Sequence, residues 1–264
     1  MKLKLNDVGP MGNVNIEISK INVVGGTNSS GKSTVSKLLY CYFKSQNEDE
    51  SFDYLMDNEG LSKDLDVVFE DDLNMSEVFY IDNISILDLK DLDILRVDHI
   101  IHIKEALEVS EKTNESEILS KIENIIGKDC LNTTSSGIKD IGIIQILLKN
   151  NQLKENSFLI IDEPESSLHP EWQIKFAEIL VLLAKDLNIH LYLNSNSPMF
   201  IEAISVYAQY YNLLNETNFY LTYDINGKYD FIKINPKNMG EIYENLTKPY
   251  DILDKLMAKI LFKE

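Results

Sequence analysis

The sequence predicts an α/β fold with a central, mostly parallel sheet. Residues 26–33 fit the pattern G-x-x-x-x-G-K-[ST] and lie between an apolar run and a helical pattern. Residues 158–163 form a second apolar run, which ends in two carboxylates. Over residues 137–211, apolar runs of strand length alternate with helical patterns. This alternation is typical of a parallel sheet flanked by helices.

The composition is typical of one folded domain that spans residues 1–264. Hydrophobic residues make up 44% of the sequence, which is enough to bury a sizeable core. The longest apolar runs, such as residues 179–184, are too short to span a bilayer, and the N-terminal residues lack a signal-peptide pattern. Cys41 and Cys130 are far apart and lack metal-ligand spacing. We therefore expect a cytoplasmic protein with reduced thiols and no membrane contact.

The net charge of −18 at pH 7 limits the partners that we expect. Phosphate contacts need clustered lysine or arginine, so the charge does not favour a nucleic-acid partner, although a local basic patch is compatible with it. Arg96 is the only arginine in the sequence. We therefore expect no arginine finger.

The N-terminal part begins with short strands. Residues 2–8 and 14–18 alternate in polarity on either side of a Gly-Pro turn, so they are predicted as two antiparallel strands. Residues 21–24 form a third strand that leads directly into the glycine-rich loop. The pattern after the loop is helical because its apolar side chains recur at i, i+3, i+4 and i+7. These side chains are Val35, Leu38, Leu39 and Tyr42.

Residues 46–130 are predicted to form a mostly helical insertion between the loop and the next motif. Its first part, residues 46–77, contains twelve acidic residues and one lysine. This acidic part is interpreted either as a solvated, partly ordered segment or as a docking surface for a basic partner. Residues 78–81 are predicted as a short strand that returns to the core, and residues 100–126 show helical patterns.

The second half predicts a regular alternation of helices and strands. The run 158–161 is continuously apolar, as expected for a strand buried on both faces. Asn226-Gly227, between two alternating segments, favours a hairpin with a type I′ turn. The predicted helices are residues 137–148, 171–187, 198–211 and 239–262, the last interrupted at Pro249, and the predicted strands are residues 158–161, 189–193, 219–223 and 230–234.

The loop at residues 26–33 contains the groups that bind a nucleoside triphosphate. Gly26 and Gly31 permit backbone conformations and a close approach that a side chain would prevent, and backbone N–H groups at the start of the helix would surround the phosphates. Lys32 would reach the β- and γ-phosphates, and the Ser33 hydroxyl would be a ligand of Mg²⁺. The residues predicted to bind the nucleotide are Gly26, Thr27, Asn28, Ser29, Ser30, Gly31, Lys32, Ser33 and Thr34.

Asp162 and Glu163 are the carboxylates predicted to bind Mg²⁺ and to activate water at the nucleotide site. A buried strand would deliver both carboxylates to the sheet edge that carries the loop. Asp162 would hold the Mg²⁺ shell, and Glu163 would orient and deprotonate the attacking water. Upstream, Ser135, Ser136 and Gly137 precede a helix, where their hydroxyl and N–H groups either contact an anion or form an ordinary N-cap turn.

Three segments resemble the ABC-class ATPases of the SMC/RecF/OLD group, and in particular its compact bacterial AAA-labelled ATP-binding proteins, many of which look like components of phage-defence systems. These segments are residues 26–33, 134–139 and 162–170. The resemblance implies a P-loop NTPase of the ABC-type ATPase head class, with ATP and Mg²⁺ as cofactors. It also implies that Ser135, Ser136 and Gly137 are a signature motif that contacts ATP held by the opposite subunit. Residues 165–169 would then line a head-to-tail homodimer with two ATP molecules between the subunits.

The chain departs from the pattern of this group at two positions. Where the group has a histidine before Ser-Pro, this chain has Asn196. Asparagine can donate a hydrogen bond to the γ-phosphate but cannot carry a proton, which predicts slow hydrolysis. The glutamine of the Q-loop is missing from residues 47–144, and Asp82 or Asn83 is an alternative Mg²⁺ ligand.

These features predict a switch ATPase that dimerises around ATP, hydrolyses it slowly and thereby controls a separate effector protein, in the context of anti-phage defence. One alternative is an ATP-binding scaffold that does not hydrolyse ATP, and another is a RecF-like DNA-repair ATPase, which would need a basic DNA track. The residues predicted to act in catalysis are Lys32, Glu163 and Asn196, and the predicted Mg²⁺ ligands are Ser33 and Asp162.

Overall fold

The computed structural model describes residues 1–47, 50–62, 65–82, 98–109, 117–126 and 139–262. Its strands are β1 (Lys2–Val8), β2 (Met11–Glu17), β3 (Ile21–Gly25), β4 (Val67–Glu70), β5 (Val78–Ile81), β6 (Phe158–Asp162), β7 (His190–Ser195), β8 (Thr217–Ile225) and β9 (Lys228–Ile234). Its helices are α1 (Lys32–Asn47), α2 (Phe52–Asn58), α3 (Asp98–Glu108), α4 (Glu117–Ile126), α5 (Lys139–Lys149), α6 (Pro170–Asp186), α7 (Pro198–Tyr210), α8 (Gly240–Thr247) and α9 (Tyr250–Phe262). Asn83, Arg96, Cys130, Ser135, Ser136 and Gly137 lie outside the described residues.

The nine strands of the described ranges form one sheet in the order β4-β1-β2-β9-β8-β3-β7-β6-β5. β3 pairs in parallel with β7 on one side and with β8 on the other, and Val23 is opposite both Leu193 and Phe219. β6 and β5 continue the parallel part beyond β7. At the other end, β1 pairs antiparallel with β2 and with β4. The parallel part therefore brings the carboxyl ends of β3, β7 and β6 to one edge of the sheet.

The two faces of the sheet belong to two separate hydrophobic clusters. On β6, Leu159 and Ile161 pack in the cluster that includes helices α3 to α8, whereas Phe158 and Ile160 pack in the cluster with α1 and α2. Successive side chains of a strand point to opposite faces, so a strand covered on both faces needs an apolar residue at every position. The predicted buried parallel strand at residues 158–161 is thus confirmed.

The predicted insertion, residues 46–130, is mostly helical in its described residues, which contain α2, α3 and α4. It also contributes two strands: β4 pairs with β1 and β5 pairs with β6, so these strands form the two edges of the sheet. Of the two, β4 is not predicted from the sequence. The strand predicted at residues 78–81 is confirmed and is fully buried. β4 has only four residues and lies among acidic side chains, so its sequence shows too little alternation for a strand to be recognised.

The C-terminal elements agree with the predicted pattern. Asn226 and Gly227 have φ angles of 59° and 85°, and the type I′ turn of the β8–β9 hairpin requires these positive values. α8 and α9 lie on either side of Pro249, and apolar side chains of α9 such as Leu256 and Ile260 are exposed. Within the described ranges, the helices lack the combination of length and apolar character that crossing a membrane requires.

Candidate active site

The loop between β3 and α1 depends on two glycines. Gly26 has a φ of 153° and Gly31 has a φ of 94°. A Cβ on Gly26 would lie 1.9 Å from Thr222 Oγ1, and a Cβ on Gly31 would lie 2.3 Å from Met11 Cγ. Both positions therefore exclude a side chain by conformation and by space. The first turn of α1, which follows directly, has N–H groups without helical partners that favour an anion.

Lys32 is the first residue of α1 and lies against the loop. Its ammonium donates hydrogen bonds to the carbonyl oxygens of Gly26 at 2.8 Å and Thr27 at 2.7 Å. Only 6% of the residue is exposed. Burial lowers the pKa of Lys32, while the nearby charges of Glu163 and Asp162 act in the opposite direction. The loop thus holds a buried amine beside two carboxylates.

Asp162 is held by three side chains from three different elements. The Ser36 hydroxyl of α1 donates to Asp162 Oδ1 at 2.8 Å, and the Tyr80 hydroxyl of β5 donates to Asp162 Oδ2 at 2.8 Å. The Asn194 amide of β7 donates to Asp162 Oδ1 and, at 2.7 Å, to Ser36 Oγ. Burial and the Asp162 charge raise the pKa of Tyr80, so its hydroxyl stays a donor. Both oxygens of Asp162 are therefore fixed in position.

Sequence reasoning did not identify Ser36, Tyr80 or Asn194. One signal was available for Asn194, because it lies near the carboxyl end of a strand next to β6 and is paired with Asp162 in the sheet. Polar residues at the carboxyl ends of neighbouring parallel strands meet at the same edge. The sequence contained no comparable signal for Tyr80, which occupies a continuous apolar strand, or for Ser36, which lies one turn into the helix.

Glu163 leaves the sheet in a left-handed conformation, with a φ of 52°. Its N–H donates to the carbonyl oxygen of Asn194 at 2.8 Å. The Asn196 amide nitrogen donates to Glu163 Oε1 at 2.9 Å and to Asn28 Oδ1 at 2.6 Å. A non-glycine residue with this backbone is uncommon and costs conformational energy. The backbone and Asn196 together orient the Glu163 carboxylate toward the loop.

Glu165 connects the turn after β6 to the segment before α7. Its Oε1 atom accepts hydrogen bonds from the N–H groups of Asn196 at 2.7 Å and Ser197 at 3.0 Å. Burial raises the pKa of Glu165, while the hydrogen bonds that its carboxylate accepts act in the opposite direction. The predicted interface segment, residues 165–169, is thus in direct contact with Asn196.

A cavity of about 300 Å³ joins the loop to the two carboxylates. Its lining comprises Pro10, residues 28–34, Asp162, Glu163 and Asn194. The structure therefore brings together seven of the nine loop residues predicted to bind the nucleotide, both predicted Mg²⁺ ligands and two of the three predicted catalytic residues. The third, Asn196, contacts Glu163 and Asn28 at the same place. Gly26 and Thr27 contact Lys32 through their carbonyl groups.

The residues of this cavity fit a nucleotide with Mg²⁺. The loop glycines leave room for phosphate but not for a side chain, and the Lys32 ammonium complements its charge. The Ser33 hydroxyl and the Asp162 carboxylate are oxygen donors, which Mg²⁺ prefers. Within the described part of the chain, the buried Ser30 Oγ and Asn194 Oδ1 atoms have no hydrogen-bond partner. They are available to a bound group or its water.

Asp82, one of the two residues considered as an additional Mg²⁺ ligand, is placed beside a histidine. Its Oδ2 atom lies 3.1 Å from His99 Nε2. Tyr80, two residues earlier, makes the direct contact with Asp162. The signature residues Ser135, Ser136 and Gly137 lie outside the described ranges, so their predicted role stays a prediction.

Residues 98–198 match the model of the AAA_21 family, described as "AAA domain, putative AbiEii toxin, Type IV TA system". The matched region is less than half of the chain and includes Asp162, Glu163 and Asn196. No sequence among the curated proteins matches this chain significantly.

Solved structures share the fold at low sequence identity. The SMC head domain from Thermotoga maritima has a TM-score of 0.52 and 13% identity, over 89% of this chain and 98% of that domain. An SMC head bound to the C-winged helix domain of ScpA has a TM-score of 0.52 and 11% identity, over 91% and 98%. CbiO1 from Clostridium perfringens, part of the ABC transporter complex CbiONQ, has a TM-score of 0.50 and 17% identity, over 97% and 98%. The chain therefore shares the fold of these SMC head domains and of this ABC transporter component.

Proposed function

We propose that this chain binds ATP with Mg²⁺ at the phosphate-binding loop and hydrolyses it. The observation that carries the proposal is the convergence of Lys32, Asp162 and Glu163 on one cavity. These residues come from distant parts of the sequence and meet where β3 and β6 end. An amine, a buried carboxylate held by three donors and a second carboxylate are the groups that phosphoryl transfer to water requires.

The residues of the cavity have different tasks in this reaction. The Lys32 ammonium and the loop N–H groups bind the phosphates and stabilise the negative charge that develops on them. Ser33 and Asp162 would hold Mg²⁺, which neutralises charge on phosphate oxygens when bound. The Glu163 carboxylate orients the attacking water and accepts its proton. The Asn196 amide fixes the Glu163 carboxylate through its hydrogen bond to Oε1.

A homodimer completes the site in this proposal. Asn28, Ser29 and Ser33 are exposed to solvent, so one side of the site is open in the single chain. Together with the resemblance to ABC-class ATPases, this exposure supports a second copy whose Ser135–Gly137 segment covers the γ-phosphate. Two ATP molecules then lie between two chains related by two-fold symmetry. Binding of ATP closes the dimer, and hydrolysis opens it.

The closed dimer would act on a separate effector protein in the cytoplasm. We propose that the acidic residues 46–77 form the surface for this contact. An effector that responds to dimer closure must bind a part of the protein outside the ATP site. The AAA_21 description refers to a toxin and a type IV TA system, which supports a role in defence. The net charge of −18 does not favour nucleic acid as the partner.

Replacing Lys32 with alanine is expected to lower the affinity for ATP by about 10- to 150-fold, because a hydrogen bond to a charged group contributes roughly 1.5–3 kcal/mol. With ATP and Mg²⁺, wild-type protein is expected to elute as a dimer in size-exclusion chromatography with light scattering, and Lys32→Ala as a monomer. Lys233→Ala, which removes an exposed lysine paired with Glu17, is the matched control and should behave as wild type. A wild-type protein that binds no ATP would contradict the proposed function.

Replacing Asn196 with histidine is expected to raise the rate of phosphate release on the order of tenfold. Histidine can exchange a proton, which asparagine cannot, and a positioned acid or base typically contributes about 10²–10⁴-fold. The gain should be smaller than this range because the Asn196 amide already donates to Glu163 and Asn28, and a histidine ring cannot keep both bonds. An unchanged rate in a folded Asn196→His variant would show that this position does not limit turnover.

An ATP-binding scaffold without turnover is the second candidate, and the Asn196 contacts favour it. The Asn196 amide donates to both Glu163 Oε1 and Asn28 Oδ1, so one oxygen of the Glu163 carboxylate already has a hydrogen-bond partner within the protein. A scaffold would form an ATP-dependent dimer without releasing phosphate. Measuring phosphate release and dimer formation on the same wild-type sample separates this candidate from the ATPase.

A further inference from the structure

A buried histidine lies between two carboxylates outside the ATP cavity. His99 Nδ1 is 2.8 Å from both carboxylate oxygens of Glu59, and His99 Nε2 is 3.1 Å from Asp82 Oδ2. The backbone N–H of His99 also donates to Glu59 Oε1 at 3.0 Å. The side chains of Glu59 and His99 are 0% and 1% exposed. We call these three residues the His99 cluster.

The His99 cluster joins three elements, and Lys37 of a fourth element contacts it. Glu59 follows α2, Asp82 follows β5 and His99 lies in the first turn of α3. Lys37 of α1 donates to the Glu59 carbonyl oxygen at 2.8 Å, and its ammonium is 3.8 Å from Glu59 Oε2. Burial opposes the charged form of His99, but the two carboxylates outweigh it and raise the pKa of the imidazole. A ring that donates from both nitrogens has its orientation fixed from both sides.

One side chain connects the His99 cluster to the ATP cavity. The Tyr80 ring lies 4.3 Å from the His99 ring, measured between centroids, and its hydroxyl donates to Asp162 Oδ2 at 2.8 Å. Tyr40 of α1 contacts both rings, with centroid distances of 6.3 Å to Tyr80 and 5.9 Å to His99. Tyr80 is 1% exposed. A buried aromatic ring packed in this way cannot tilt without displacing its neighbours.

We propose that His99 is a positioning residue for the Mg²⁺ site, and that it acts by holding the Tyr80 ring so that its hydroxyl fixes the Asp162 carboxylate. The inference rests on the proposed function, since it concerns the ligand that would hold Mg²⁺ there. It assigns a role to the segment between the loop and the second motif: α2 and α3 set the geometry of the metal ligand through Glu59 and His99. Residues that orient a metal ligand typically change metal affinity 10- to 100-fold when they are replaced.

The test measures Mg²⁺ affinity instead of turnover. Fluorescent mant-ADP is first bound to the protein in EDTA. Mg²⁺ is then titrated, and the free Mg²⁺ concentration that gives half of the maximal change in mant fluorescence is determined. His99→Gln is expected to raise this concentration about tenfold, while the mant-ADP affinity in EDTA stays within about twofold of wild type. His102→Gln is the matched control. His102 is on the same helix and stacks on Phe79 at 5.2 Å. Its ring is also 6.3 Å from that of Tyr40, but it is not a member of the His99 cluster, so its variant should keep Mg²⁺ affinity close to wild type.

A double-mutant cycle tests whether the effect passes through Tyr80. Tyr80→Phe keeps the ring but removes the hydroxyl that contacts Asp162, and it should raise the Mg²⁺ requirement on its own. In the Tyr80→Phe background, His99→Gln should then add little, because the two changes act on one contact. If His99→Gln is too unstable to isolate, Tyr80→Phe with unchanged Mg²⁺ affinity overturns the proposal by itself.

Several other results of these experiments would overturn the proposal. A folded His99→Gln variant with wild-type Mg²⁺ affinity overturns the proposal, as does an equal loss in His102→Gln, which would indicate general loosening of α3. Strictly additive effects of His99→Gln and Tyr80→Phe also overturn it. A wild-type protein that binds no mant-ADP would overturn the proposed function itself, and the inference with it.

Discussion

Replacing Glu163 with glutamine is expected to lower ATP turnover by about 10²–10⁴-fold while ATP binding is retained. A general base typically contributes a factor of this size, and the amide of glutamine cannot accept the proton of the attacking water. The change should leave the backbone undisturbed, because the Glu163 N–H bond to Asn194 and the Asn196 bond to Oε1 do not need the charge. Steady-state phosphate release measures the loss, and mant-ATP binding measures what remains.

The control for this prediction is Glu171→Gln. Glu171 is an exposed residue in the first turn of α6, where it pairs with Lys175. The same chemical change at that position should leave turnover at the wild-type level. Because Glu163→Gln blocks only hydrolysis, it should also accumulate the ATP-bound dimer. Equal phosphate release from wild type and Glu163→Gln would remove the hydrolysis step from the proposal and leave the scaffold.

Replacing Gly26 with alanine is expected to lower the free energy of unfolding by roughly 2–6 kcal/mol. A left-handed or extended positive-φ backbone costs an alanine about 1–3 kcal/mol, and forcing extra volume into a packed site costs about as much again. The added Cβ would lie 1.9 Å from Thr222 Oγ1 and 2.9 Å from Thr222 Cβ. The loop must move, so ATP affinity should fall together with stability. Urea unfolding and mant-ATP titration measure the two effects.

Two further variants separate the clash from the backbone strain. Gly240→Ala is the control, because a Cβ at the start of α8 meets no atom within 4 Å and needs no unusual φ. Thr222→Ala removes the hydroxyl that the new methyl group would strike, and this hydroxyl has no hydrogen-bond partner in the described residues. Thr222→Ala should therefore recover part of the stability lost in Gly26→Ala. No recovery would assign the loss to the backbone conformation and to the contact with the Cβ of residue 222, which alanine retains.

The sequence was sufficient to predict the parts of the fold that depend on short-range patterns. β6 was recognised from four consecutive apolar residues, because a strand buried on both faces leaves no polar position. The β8–β9 turn was recognised from Asn226-Gly227, because these residues tolerate positive φ. α6 and α7 begin at Pro170 and Pro198, where a missing N–H costs nothing. Each of these signals is contained within a few residues.

The acidic segment shows where such patterns fail. β4 is four residues long and lies among acidic side chains. Its partner, β1, is far away in the chain. β5 is equally short, but all four of its residues are apolar, and this run predicts it as a strand. When a short strand such as β4 has no alternation of polar and apolar residues, only its pairing with another strand identifies it, and sequence periodicity cannot locate it.

The sequence by itself determined that the chain carries a phosphate-binding loop followed by a strand with two terminal carboxylates, because motif spacing and apolar runs are local properties. Only the tertiary structure decided which side chains surround Asp162, since Ser36, Tyr80 and Asn194 come from three elements that meet through packing. The same holds for the His99 cluster. Contacts between distant residues follow from the register of the sheet and the positions of the helices, and no short stretch of sequence encodes them.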